Sequence, residues 1–150
     1  MLLGELGLLG SISGLILVNA FLNAPFATLL MSSYFRGIPE ELREAAMVDG
    51  TSEWGTFTRI MLPLVRPGLA AVGIFTGIMT WNEFMMGLTL TSGGSTAPVT
   101  VGIAGLLQPY AVTWGEMAAA GTVAAVPIIA MAIVANRHIV AGLTAGAVKG

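Results

Sequence analysis

Glu83 stands inside an apolar run, directly after Trp81 and Asn82, and its chemistry is the first to need explaining. A carboxyl group near the centre of a bilayer costs roughly 2.5–3.5 kcal/mol on insertion scales. Such a group faces a protein interior, is protonated, or lies near an interface. Two readings stay open. Glu83 lines a pathway or bonds across helices there, or it makes a structural hydrogen bond with Asn82 or a neighbouring helix. A proton relay would need a second embedded ionisable partner, and the apolar runs offer none well inside them, Glu116 standing at the very start of its run. Trp81 presents a ring that can stack on a sugar or simply pack. Asn19 and Asn23 are four apart and share a helix face. They point at a pathway or hydrogen-bond another helix. Catalytic chemistry has no support: there is no paired-carboxylate set, no nucleophile–base arrangement and no G-x-x-x-x-G-K-S/T phosphate loop. The absence of cysteine excludes thiolate sites, and the single histidine, His138, cannot build a metal cluster. No metal or cofactor is called for.

The elements that carry these residues follow from composition. Of the 150 residues 55% are hydrophobic and 9% charged, against about 25% charged in a soluble domain. A water-facing surface cannot be built from so few charges, and a mean hydropathy of +0.86 points to lipid as the main solvent. The net charge of −2 argues against nucleic acid as a partner. Three apolar runs, about 13–34, 68–90 and 115–135, are each long enough for a continuous helix across a bilayer core of roughly 30 Å. The fold class expected is therefore all-α, a polytopic membrane protein with three transmembrane helices in this stretch. Gly73 and Gly77 form a GxxxG pattern, as do Gly10 and Gly14; in the second run it suggests close helix packing. Pro127 should kink the third run.

Basic residues set the orientation. Arg36, Arg43, Arg59 and Arg66 lie between the first and second runs, Arg137 and Lys149 follow the third, and residues 91–114 carry no Lys or Arg. By the positive-inside rule, 36–67 and 137–150 are cytoplasmic and 91–114 lies outside. The N-terminus then lies outside as well. Residues 1–12 lack the basic region and cleavage site of a signal peptide and read as the outer end of a loop leading into a span.

The loop 36–67 holds nine of the fourteen Lys, Arg, Asp and Glu residues. Pro39 suits the first turn of a helix, and Glu40, Glu41 and Glu44 favour its positive end. Leu42, Ala45, Ala46 and Met47 supply a small apolar face. Gly50 is placed to end the helix in a left-handed cap. Thr51 or Ser52 can cap a second short helix through about Ile60, which Pro63 and Pro67 then stop. On residues alone this is either a solvated connector or a surface that a partner approaches closely.

The run Glu44-Ala45-Ala46-Met47-Val48-Asp49-Gly50-Thr51-Ser52 resembles the EAA loop of ABC importer permeases. The upstream Ile38-Pro39-Glu40-Glu41-Leu42 and the downstream Phe57, Ile60, Leu62-Pro63-Leu64 and Pro67 match the same long pattern. Thr51 stands where the family more often has Ala. Trp81-Asn82-Glu83-Phe84 resembles the W-N-E/D-F signature of carbohydrate permeases, and residues 142–150 resemble the C-terminus of the subfamily that includes the maltose-type second permease subunit. The resemblance covers essentially the whole chain.

That resemblance implies a type I ABC importer permease, a multi-pass inner or plasma membrane protein whose earlier spans lie upstream of this stretch. It implies that a separate cytoplasmic ATPase receives the loop helix through Glu44, Ala45, Ala46, Asp49 and Gly50. Glu44 would pair with a basic residue there, and Gly50 would allow the tight turn. The ATP chemistry then lies on another chain. A second permease subunit and an extracytoplasmic sugar-binding protein, the latter acting on loops such as 91–114, complete the set of expected partners. The alternatives are a permease of the same architecture for another solute, such as a polyamine or phosphate, and a non-transporting scaffold or remnant.

Overall fold

The computed structural model describes residues 2–91, 96–108 and 111–147. Parts of the expected outer loop (92–95, 109–110) and of the tail (148–150) lie outside the described residues. The described elements are helices α1 (Leu2–Glu5), α2 (Ile12–Arg36), α3 (Glu40–Val48) and α4 (Glu53–Thr56), a π-helical turn (Phe57–Met61), α5 (Leu62–Leu64), α6 (Arg66–Trp81), α7 (Met85–Thr91) and α8 (Val99–Ala104), the two-residue strands β1 (Leu107–Gln108) and β2 (Ala111–Val112), and α9 (Trp114–Ala147). The strands pair antiparallel, Leu107 opposite Val112 and Gln108 opposite Ala111.

Two helices are long and apolar enough to cross a membrane: α2 and the Trp114–Asn136 part of α9. A third arises if the bent pair Glu53–Leu64 and Arg66–Trp81, at 67° to each other, counts as one span. α2 keeps its helix through Pro25, as membrane helices can when the freed carbonyl finds another donor. Its large apolar side chains point outward, with Phe21 80% and Leu29 72% exposed, a surface suited to lipid or to other helices and not to water.

One expectation about the spans needs correction. The run 68–90 is not one helix. α6 stops at Trp81 and α7 starts at Met85, because residues 82–84 leave the helical path and the Glu83 side chain takes up the first amides of α7. The third span, Trp114–Asn136, matches the 115–135 run, and its helix continues to Ala147.

The chain divides into two compact units, one of residues 1–24 and 76–132, the other of 25–75 and 133–150. In the first, Gly7 and Gly10 take φ of 65° and 71° and turn the chain between α1 and α2. Ser11 caps α2, its hydroxyl accepting from the Gly14 amide at 3.1 Å. The Gly10 amide donates to the Leu90 carbonyl at 2.8 Å, and the Thr96 hydroxyl donates to the Gly10 carbonyl at 3.0 Å. These bonds tie the N-terminal turn to the end of α7. The segment before α2 is thus a short helix and two turns where a plain loop end was expected.

In the second unit, rings do much of the packing. Phe26 meets Phe75 edge-on with centroids 6.4 Å apart, Phe35 stacks on Phe57 at 6.1 Å, and Phe57 stacks on Trp54 at 5.6 Å. Gly68 lies against the Tyr34 ring so closely that a methyl group there would fall on it. This is the tight helix approach of the unit. The expected GxxxG contact is weaker: a Cβ at Gly73 would meet nothing within 4 Å, and one at Gly77 would reach Met131 Sδ at 3.4 Å. Gly14 is required by the carbonyl of Leu8 in its own capping turn, and not by a second helix.

Candidate functional site

Two places gather the residues singled out above. The first is the turn between α3 and α4. Pro39 is the residue before α3, with φ −59° and ψ 135°, one position earlier than the first turn expected for it. Two residues beyond Val48, the last of α3, Gly50 takes a φ of 81°, which L side chains adopt only under strain. The Thr51 amide donates to the Ala46 carbonyl and the Gly50 amide to the Met47 carbonyl, both at 3.0 Å. These two bonds form a Schellman closure that satisfies the last carbonyls of the helix. Ser52, and not Thr51, caps α4, accepting from the Gly55 amide at 3.2 Å.

The second helix does not end near Ile60. It widens into the π turn, where the Leu62 amide reaches back five residues to the Phe57 carbonyl, and it runs on to Leu64. Pro63 explains the widening. In a regular helix its ring would meet the Arg59 carbonyl and it has no N–H to offer; one extra residue in the turn relieves both. The chain then bends at Val65, 2% exposed, with Pro67 in the first turn of α6.

Of the five residues expected to contact an ATPase, Glu44, Ala45, Asp49 and Gly50 are exposed, while Ala46 is buried, 5% exposed. Exposed apolar side chains surround them: Leu42, Met47, Val48 and Trp54, with Val48 87% exposed. Arg43 braces α3 to α4. Its guanidinium bonds both carboxyl oxygens of Glu53 and lies 3.8 Å from Glu40. The hydrogen bonds that Arg43 donates to Glu53, then the Glu53 charge, hold the Arg43 pKa above its ordinary value. Glu44 is left facing outward.

The second place is the break after α6. The Glu83 carboxyl oxygens accept the amides of Met86 at 2.6 Å and Gly87 at 2.8 Å. The partner is therefore the next helix of the same chain, neither Asn82 nor a distant helix. The Asn82 side chain donates back to the Ile78 carbonyl at 2.8 Å. The Trp81 indole N–H donates to the Ala124 carbonyl at 3.1 Å, next to the Val123 carbonyl that Pro127 cannot serve. Asn23 donates to the Thr80 hydroxyl at 3.3 Å and to the Asn19 carbonyl at 2.9 Å, and the buried Asn19 donates to the Leu15 carbonyl at 3.0 Å. So Asn23, Trp81 and Glu83 are brought into one polar neighbourhood. Thr80, Thr100 and Ala124 belong to it and carried no sequence signal, since a threonine or alanine in an apolar run is unremarked until its partner is known. Among the described residues, no group of three or more His, Cys, Asp or Glu could hold a metal ion.

Apolar helices of spanning length, joined by a polar helical loop outside them, define a helical multi-pass membrane protein. The family described as binding-protein-dependent transport system inner membrane component matches residues 2–144, and the chain belongs to it. It is 44% identical over 142 residues to the probable ABC transporter permease protein y4oR of Sinorhizobium fredii, covering 94% of this chain and 50% of that one. It is 41% identical over 128 residues to the trehalose/maltose transport system permease protein MalG of Thermococcus litoralis, covering 84% and 46%. It is 39% identical over 127 residues to the arabinooligosaccharides transport system permease protein AraQ of Halalkalibacterium halodurans, covering 85% and 46%. The chain spans about half the length of these curated relatives.

Proposed function

We propose that this chain is part of a permease subunit of an ATP-driven importer that takes up a carbohydrate and couples to a separate ATPase through the loop 36–67. The observation that carries the coupling reading is the α3–α4 turn. It is rigidly closed at both ends by its own residues, yet it leaves Leu42, Met47, Val48 and Trp54 exposed beside Glu44, Ala45, Asp49 and Gly50. A turn whose own residues meet its backbone groups and that still displays apolar side chains is suited to a partner's groove. Glu44 supplies the charge that would select a basic residue in that groove. The distribution of Lys and Arg supports a cytoplasmic side for this loop and for the end of α9, and an outer side for 91–114. Carbohydrate is the solute named for AraQ and MalG. A second permease subunit and an extracytoplasmic sugar-binding protein belong to the same reading.

The mechanism follows from stiffness. Closure of two ATPase subunits moves their grooves, and a helix seated in each groove moves with it. The Schellman turn and the Ser52 cap hold α3 and α4 close together, so that they would shift together and the motion would bias one arrangement of the spans over another.

A pull-down from native membrane in mild detergent tests this, with Glu44→Arg in parallel. Recovery of an ATPase with the unsubstituted chain, and its loss with Glu44→Arg, is the expected result. Equal recovery with both would sink the role given to Glu44.

A further inference from the structure

Thr80 and Trp81 end α6 and Glu83 follows it two residues later, and these three residues bond to four other helices. Thr80 receives Asn23 of α2 at 3.3 Å. Trp81 donates to Ala124 of α9 at 3.1 Å. Glu83 takes two amides of α7 through its carboxyl oxygens, and its own carbonyl accepts the Thr100 hydroxyl of α8 at 2.6 Å. α7 and α8 are also packed face to face: a Cβ at Gly87 would come within 2.7 Å of Pro98 Cγ. A helix interrupted in apolar surroundings has no water to satisfy its ends, so protein groups must do it. Here one side chain satisfies the start of α7 while its backbone holds α8.

We propose that Glu83 is a positioning residue: it fixes the α7–α8 pair to the joint that Thr80 and Trp81 make with α2 and α9, and so sets the place of α7 and α8. The inference rests on the transport reading above only for its consequence, that α7 and α8 carry the outer loop 91–114, where an extracytoplasmic sugar-binding protein would engage. Geometry gives the role to the reach and acceptor atoms of the side chain, and not to a charge offered to solute or proton. The Trp81 indole N–H, already donated to Ala124, serves the same joint.

Charge and reach are separable. Glu83→Gln keeps the length and one good acceptor. Glu83→Asp keeps the charge and is one methylene short. Glu83→Ala loses both, and Phe84→Asp added to Glu83→Ala places a capping carboxylate at the residue before α7, where short acceptors cap best. Two readouts apply to the chain in its native membrane: amide exchange of residues 85–91, and uptake of labelled sugar by intact cells.

Expected results are exchange faster by about tenfold in Glu83→Ala and Glu83→Asp, smaller acceleration in Glu83→Gln, and restored protection in the double variant. Uptake follows the same order. If Glu83→Asp protects and transports like the unsubstituted chain while Glu83→Gln does not transport, the charge itself is used and the proposal fails. If exchange accelerates in Glu83→Ala but uptake is unchanged, the positioning role fails. Absent sugar uptake in the unsubstituted chain counts against the transport reading alone, and exchange still decides the joint: unchanged exchange in Glu83→Ala overturns it.

Discussion

The α3–α4 turn and the joint after α6 solve the same problem with different reach. Each must satisfy backbone groups where a helix stops. At the turn, partners lie within a few residues: Thr51 to Ala46, Gly50 to Met47, Gly55 to Ser52. At the joint, Glu83 also takes the nearby Met86 and Gly87 amides, but further partners come from 17, 43 and 57 residues away, through Thr100, Ala124 and Asn23. The difference tracks the solvent. A polar loop can leave leftover donors and acceptors to water, so local caps suffice. An apolar stretch has no such reserve, so the chain brings polar side chains from several helices to one point. The first region can therefore be read and altered piecemeal, while the second acts as a unit.

Substitutions probe that contrast at four strengths. The largest effect is expected from Gly68→Leu, which drives a side chain into the Tyr34 ring. Overpacking of this kind costs about 1–3 kcal/mol, and thermal unfolding in detergent should show it as a lowered midpoint. An unchanged midpoint would mean that α2 and α6 separate freely there. Next is Gly50→Val, which puts a β-branched residue at φ 81° at about 1–2 kcal/mol. Circular dichroism should show little helix lost, because the damage stays at one turn; ATPase recovery in the pull-down should fall. Broad loss of helix would contradict the idea that this region is closed locally.

Thr100→Val comes third. It removes one hydroxyl, worth about 0.5–1.5 kcal/mol, and should speed amide exchange in α7 as well as α8 if the joint acts as a unit. Exchange altered in α8 alone would count against that. The smallest effect belongs to Arg43→Ala. Its pair with Glu53 is exposed, and exposed pairs contribute little, so the unfolding midpoint should not move measurably. The pH dependence has a definite sign. A guanidinium whose pKa is raised on folding adds stability that is present below its unfolded pKa and fades as pH climbs through the folded one. Both lie in the strongly alkaline range, so titration of Arg43 itself leaves stability flat across neutral pH. A slope there that disappears in Arg43→Ala would refute this.

Legibility in the sequence divides along the same line. Gly50 and a Ser/Thr cap at 51–52 could be read because their partners are neighbours, and turn chemistry is written in adjacent residues. The apolar runs showed where helices of spanning length begin. The break at 82–84 could not be read, because hydropathy averages over a window and one carboxyl in an apolar run barely changes it. Glu83 was visible as an oddity, yet its role depends on Met86, Gly87 and Thr100, whose backbone or hydroxyl groups carry no signal of their own. The π turn was missed for a related reason: Pro63 read as a stop, whereas one added residue in the turn let the helix pass it. Gly68 was read as the start of the second run, but its close approach to Tyr34 could not be read, because nothing in a single glycine names the ring beside it.

The elbow at Val65 has a mechanical consequence. The stretch Glu53–Leu64 meets α6 at 67°, and at 1.5 Å per residue it is an arm about 18 Å long. A push on its far end, where Ser52 and Gly50 sit, acts with leverage on the bend. A tilt of about 10° there corresponds to roughly 3 Å of travel at the tip, for an arm of helical rise. Val65, almost fully enclosed, sits at the bend itself, so a tilt of the arm would turn about a packed side chain and not about an exposed one.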